Sequence, residues 1–232
     1  VASLNTQRHL YNSTVSFNKS MEKLASGLRI NRAADDAAGL AISEGLKADI
    51  RALGQAARNA SDGISLVQTA EGALDEVSNI LLRMKELAEQ SLGGTLSGAQ
   101  QDYLDSEYQE LSAEIDRIAA GTEYNDIALL DGTLSVDIQV GIDTAATSQI
   151  NVALGTAMDS TGLALAADIS STGAPGTALT EVDAAIATVS QSRSNFGAKQ
   201  NRFESSIRNI NNQAENLSAA NSRIRDVDVA NE

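Results

Sequence analysis

Between Leu179 and Ile224, alternating steps of three and four land on Leu179, Val182, Ile186, Val189, Arg193, Phe196, Gln200, Phe203, Ile207, Ile210, Ala214, Leu217, Asn221 and Ile224. All but Arg193, Gln200 and Asn221 are apolar. This is heptad spacing, and it predicts one long helix over 179–232 whose narrow stripe is buried against partner helices. The three polar positions cost stability and act as register marks.

A second stripe, between Asp35 and Gln90, runs through Leu46, Ile50, Leu53, Ala57, Ala60, Ile64 and Val67, then Ala70, Leu74, Val77, Leu81, Met84 and Ala88. The two threes at Ile64, Val67 and Ala70 form a stammer, which overwinds a supercoil locally without ending the helix. Gly54, Gly63 and Gly72 thin the helix surface for close approach of a neighbour. After Gly93-Gly94, Leu104, Tyr108, Leu111, Ile115 and Ile118 share one face of a third helix, which folds back antiparallel and ends at Gly121 in a left-handed cap. Ahead of these, Leu10, Phe17, Met21, Leu24 and Leu28 mark a first helix, stopped near Gly27 and followed by a polar joint over 29–36.

Only Leu134 to Leu154 reads as β. Val136, Ile138 and Val140 alternate with polar residues, as do Ile150, Val152 and Leu154 across a turn. Residues 155–178, rich in Gly, Ala, Ser and Thr with the single proline Pro175, read as a surface connection too poor in apolar residues to fold alone. The predicted fold is mainly α: an elongated antiparallel bundle or coiled coil of long helices with one small β-hairpin. Its segments are 1–28, 29–36, 37–133, 134–154, 155–178 and 179–232.

Composition narrows the function. The chain has 232 residues, no Trp, 3 Phe and 4 Tyr, which suits helices packed along seams better than a centred core. A net charge of -14 with 17 scattered Lys and Arg argues against nucleic acid, and no apolar run is long enough to span a membrane. Cysteine is absent and His9 is the single histidine, so neither a His-based catalytic triad nor a thiolate or His-rich metal site can be assembled. No catalytic, cofactor or metal site is expected. Asp35-Asp36 read as helix-capping carboxylates rather than an acid-base pair.

Several motifs, taken in order, carry a family resemblance. Leu24-Ala-Ser-Gly-Leu-Arg-Ile-Asn31, Asp35-Asp-Ala-Ala-Gly-Leu40 and Arg58-Asn-Ala-Ser-Asp-Gly-Ile-Ser65 resemble the N-terminal region of bacterial flagellin. Gly197-Ala-Lys-Gln-Asn-Arg-Phe203 and Asn216-Leu-Ser-Ala-Ala-Asn-Ser-Arg-Ile224 resemble its C-terminal region. The resemblance implies a core of two N-terminal helices and one C-terminal helix beside a β-hairpin. It also implies terminal helices longer than these, trimmed here most at the C-terminus, with 155–178 standing where a large outer domain sits in other members.

In function, the resemblance implies a subunit that self-assembles into the extracellular flagellar filament. It would be exported unfolded without a cleavable signal peptide and placed under a cap protein. Leu82-Arg-Met-Lys-Glu-Leu-Ala-Glu-Gln90 is similar to the motif read by Toll-like receptor 5. Arg83, Leu87 and Glu107 are then the candidates for receptor recognition and subunit contact, although Met84 and Glu89 differ from the commonest pattern. The seam candidates are Leu46, Ile50, Leu53, Ile64, Val67, Phe196, Phe203, Ile207, Ile210, Leu217 and Ile224. The alternatives are a hook-filament junction protein and a flagellin-like surface protein that binds a polysaccharide, the latter disfavoured by the scarcity of aromatic platforms.

Overall fold

In the computed structural model, which describes residues 2–230, four helices account for most of the chain: α1 (Ala2–Ser26), α2 (Ala37–Leu92), α3 (Gly98–Gly121) and α4 (Pro175–Arg225). Val1, Asn231 and Glu232, included in the first and last predicted segments, lie outside the described residues. The fold is mainly α, as the stripes predicted. The chain divides into two units, residues 1–57 with 208–232, and residues 58–207.

In the first unit, α1 stops where Gly27 takes φ +71°, a left-handed conformation open to glycine at little cost. The joint that follows is ordered by hydrogen bonds. The Arg29 N–H donates to the Arg225 carbonyl and its guanidinium to that of Ile224 at 2.6 Å, Leu28 bridges Asp226, and Ile30 is buried. Asp36 caps α2 by accepting the Gly39 N–H at 2.9 Å. The last helix therefore ends at Arg225 rather than continuing to 232, because its final carbonyls are taken by the joint.

Asp35 is the electrostatic centre of that joint. Lys19 bonds it at 2.9 Å, and the N–H groups of Arg32 and Asn31 point at the same carboxylate. The Lys19 bond first, then the Arg32 amide, lowers its pKa to about 2. A carboxyl depressed on folding contributes stability above its unfolded pKa and loses it as pH falls through the folded value. The thermal midpoint should therefore drop as pH is taken from 5 towards 2, and Asp35→Asn should flatten that part of the profile. Superimposable profiles for the two proteins would refute the assignment.

In the second unit, α2 and α4 run antiparallel. As α2 advances from Gly63 through Asp75 to Lys85, its neighbour on α4 retreats from Phe203 through Arg193 to Asp183. Leu74, Val77, Leu81, Met84, Phe196 and Phe203 are buried between the elements, with Tyr108 and Ile115 from α3. Of Gly54, Gly63 and Gly72, close approach is confined to Gly63, where a Cβ would stand 2.7 Å from Ile138 Cδ1 and 2.9 Å from Phe203 Cζ. Gly54 and Gly72 face open space, which corrects the reading of all three as contact points. Gly121 is likewise the last helical residue and not a left-handed cap; Thr122 follows it in extended backbone, its N–H bonded to the Ile118 carbonyl.

The predicted hairpin is present. It pairs Val136 with Val152 and Ile138 with Ile150, with Val152 fully buried. A second, smaller hairpin, β1 (Glu123–Tyr124) with β2 (Ile127–Ala128), precedes it, so the larger strands are β3 (Ser135–Gln139) and β4 (Gln149–Ala153). Asn125 and Asp126 turn the small one at φ 50° and 61°, the conformation of a type I′ two-residue loop.

The greatest departure is the segment before α4. It is no loose connection: Met158, Leu163 and Ile169 are buried in the core, and Ser91 donates to the Ile169 carbonyl at 2.7 Å. Its backbone N–H groups are held by carboxylates: Ser160 by Asp116, Ile169 by Asp105, Ser171 by Asp102, and Ala166 and Ala167 by Glu181. Pro175 then opens α4 four residues ahead of the predicted start, in the first-turn position that suits a residue without an N–H.

Beside this segment the Tyr108 hydroxyl is buried and has no hydrogen-bond partner among the described residues. Burial, then the nearby carboxylates of Glu181 and Asp105, raises its pKa to about 12. Removing an unpaired buried hydroxyl relieves its desolvation cost, so Tyr108→Phe should stabilise the protein by ~1 kcal/mol in urea unfolding. A loss of stability would mean that the hydroxyl is satisfied.

Candidate assembly and recognition surface

The surface around Arg83 is built by the reversal between α2 and α3. α2 ends at Leu92, and at Gly93-Gly94 a turn begins. Ser97 caps α3 just ahead of Gly98, its N–H donating to the Gln100 side-chain oxygen at 2.8 Å, half of a capping box. The chain thus returns along itself, and Gln101 donates to the Ser91 carbonyl at 3.0 Å. The same register brings Glu107 opposite Arg83.

The Arg83 guanidinium donates through Nε at 2.9 Å and through a terminal nitrogen at 2.8 Å to one Glu107 oxygen, and through the other terminal nitrogen at 3.0 Å to Glu86. Glu107 first, then Glu86, raises its pKa further. Its side chain keeps 48 % of its surface in water, so the cluster is a rigid, accessible fork and not a strong stabilising element. Leu87 is not part of this surface. It is fully buried, and a partner docking on the folded unit cannot touch it. A step of four residues turns the helix about 40° past a full circle, enough to carry Leu87 from Arg83's edge into the stripe of Met84 and Ala88.

Among the seam candidates, Leu53, Val67, Phe196, Phe203 and Ile210 are buried, while Leu46, Ile50, Ile64, Ile207, Leu217 and Ile224 are half-buried. In the 4-3 walk Ala56 takes the buried place assigned to Ala57. Two of the three polar marks reach another helix: Arg193 pairs with Asp75 at 2.9 Å, and Asn221 accepts from the buried Ser43 hydroxyl at 2.7 Å. Gln200 bonds Glu204 on its own helix and marks no register. The Lys85–Asp183 pair at 2.7 Å, which the stripes did not reveal, does.

α1 differs from every other helix. Leu10, Tyr11, Phe17 and Met21 are each at least half exposed, and Leu4 is 66 % exposed. His9 sits on the same solvent-bathed helix. Among the described residues no group of three His, Cys, Asp or Glu side chains could hold a metal ion, and no helix is long and apolar enough to cross a membrane.

Residues 1–135 match the family model of the bacterial flagellin N-terminal helical region, and residues 179–232 match that of the C-terminal helical region. The chain belongs to the bacterial flagellin family. It is 59 % identical over 127 residues to the flagellin of Halalkalibacterium halodurans, covering 54 % of this chain and 47 % of that one. To the flagellin of Clostridium tyrobutyricum it is 46 % identical over 170 residues, covering 73 % and 43 %. It thus spans about half the length of these flagellins.

Among solved structures, the crystal structure of Bacillus cereus flagellin superposes with a TM-score of 0.58 at 33 % identity, over 71 % of this chain and 94 % of that one. A putative flagellar hook-associated protein from Vibrio parahaemolyticus superposes at 0.67 with 13 % identity, over 83 % and 100 %, a likeness of fold alone. Flagellins are structural proteins and not enzymes.

Proposed function

We propose that this chain is a structural subunit that self-assembles into the extracellular bacterial flagellar filament for motility. The observation that carries the reading is the bare apolar side of α1. A lone helix as rich in Ser, Asn and Thr as α1 gains little stability from intrinsic propensity, and tertiary packing is what normally stabilises a helix in a protein. Among the described residues that packing is missing for Leu4, Leu10, Tyr11, Phe17 and Met21, and copies laid side by side would supply it. The reading also takes the unfolded chain through the flagellar export channel without a cleavable signal peptide, and sets it in place under a cap protein.

Seeding tests this. The protein mixed with filament fragments should elongate them and become sedimentable. Phe17→Asp, on the exposed side of α1, should abolish sedimentation without moving the thermal midpoint of the monomer. Failure of the parent protein to elongate seeds across a range of salt would overturn the reading.

A second reading, recognition of the monomer by Toll-like receptor 5, is supported by the Arg83 fork, whose guanidinium is fixed by Glu107 and Glu86 yet open to a partner. Leu87 is excluded from direct contact by its burial. Arg83→Ala should lower signalling by receptor-bearing cells, and an unchanged response would sink the assignment.

A further inference from the structure

Two exposed stripes of the second unit have the same spacing and opposite chemistry. On α3, Tyr103, Glu107, Glu110, Glu114 and Arg117 follow steps of four and three along the side away from the buried Tyr108 and Ile115. On α4, Thr188, Ser192, Asn195, Lys199 and Arg202 follow the same steps, all exposed or half-exposed. Each stripe covers about 21 Å of helix. Tyr103 is 76 % exposed, and Thr188, Ser192 and Asn195 of the α4 stripe themselves line a cleft of about 420 Å³ that has no charged group among its ten lining residues.

The charges are unevenly satisfied. Arg83, Lys85, Arg117 and Arg193 each hold a carboxylate. Lys199 and Arg202 hold none among the described residues, and Glu110 on the opposite stripe has no partner either. In a chain of net charge -14, neighbouring cations left free one helical turn apart form a local exception in an acidic surface.

We infer that the α3 stripe of one copy docks antiparallel on the α4 stripe of a second copy. This rests on the filament reading and names its contact. In that register the Tyr103 ring meets the Arg202 guanidinium face to cation. Glu107, with one oxygen used by Arg83, turns the other to Lys199. Glu110 faces the Asn195 amide, Glu114 faces the Ser192 hydroxyl, and Arg117 falls on Thr188, clear of both cations. The parallel register would set Arg117 on Arg202 and is disfavoured by like charge. Because the two stripes are different surfaces, each docked copy still presents one of each, and the contact propagates instead of closing at a dimer.

The absence of cysteine makes the test clean. Glu110→Cys protein mixed with Asn195→Cys protein under mild oxidation should give disulfide-linked pairs well above either protein alone. Lys199→Glu with Arg202→Glu should leave the melting curve unchanged and raise the concentration needed for seeded growth roughly tenfold. Absence of the mixed cross-link, or growth equal to the parent, overturns the contact while leaving the filament reading in place. A mixed cross-link between the two cysteine proteins, beside a parent that never elongates seeds, upholds the contact and removes the filament reading.

Discussion

Phe203→Asp should remove most of the ellipticity at 222 nm that reports the second unit, and leave no cooperative melt for it. Phe203 is fully buried, and its ring tip stands 2.9 Å from where a Cβ on Gly63 would be. Truncating such a ring costs about 3–5 kcal/mol through lost contacts and the cavity left behind. A carboxylate placed there must also be stripped of water or protonated against its preference, adding several kcal/mol more. Domains of this kind are stable by roughly 5–15 kcal/mol, so the sum is of the order of the whole margin. A melting curve like the parent's would mean that the α2–α4 seam is not what holds the unit together.

Gly63→Leu should be the next most damaging change, by ~3 kcal/mol in urea unfolding. A side chain there meets Ile138 Cδ1 at 2.7 Å on one side and Phe203 on the other. Ile138 can rotate its terminal methyl away, but the ring cannot retreat in a packed core, and overpacking of this kind costs about 1–3 kcal/mol before the displaced hairpin is counted. Gly72→Ala is the matched control. It sits mid-helix in open space, so replacing the glycine should stabilise α2 by about 1 kcal/mol. Equal effects at the two positions would show that the β3–β4 hairpin does not press on α2 at Gly63.

That contrast shows what a sequence can and cannot carry. The apolar stripes were legible because period is a property of the chain itself: Phe196, Phe203, Leu74 and Val77 are buried where the heptads put them. Glycines at 54, 63 and 72 look alike in sequence, and only the arrival of Ile138 from a distant strand singles one out. Leu87 was misplaced because a residue four steps from an exposed arginine can lie on either side of the core boundary. The small hairpin did leave a signal, the Asn125-Asp126 pair between two short segments of strand character, too brief to stand out beside helices of more than fifty residues. The Arg83–Glu107 fork followed from the turn at Gly93-Gly94, whereas Lys85–Asp183 depends on a register that no single stripe contains.

The segment between β4 and α4 was illegible for a different reason, and the reason has an evolutionary edge. It is held by its main-chain N–H groups, received by Asp102, Asp105, Asp116 and Glu181 on the helices around it. Every amino acid except proline brings the same N–H. Selection acting to keep this segment seated would therefore fall on the four carboxylates and on the anchors Met158, Leu163 and Ile169, leaving most side chains in between free to drift. Descendants of this chain could thus rewrite that stretch of surface many times over without reopening the core beneath it.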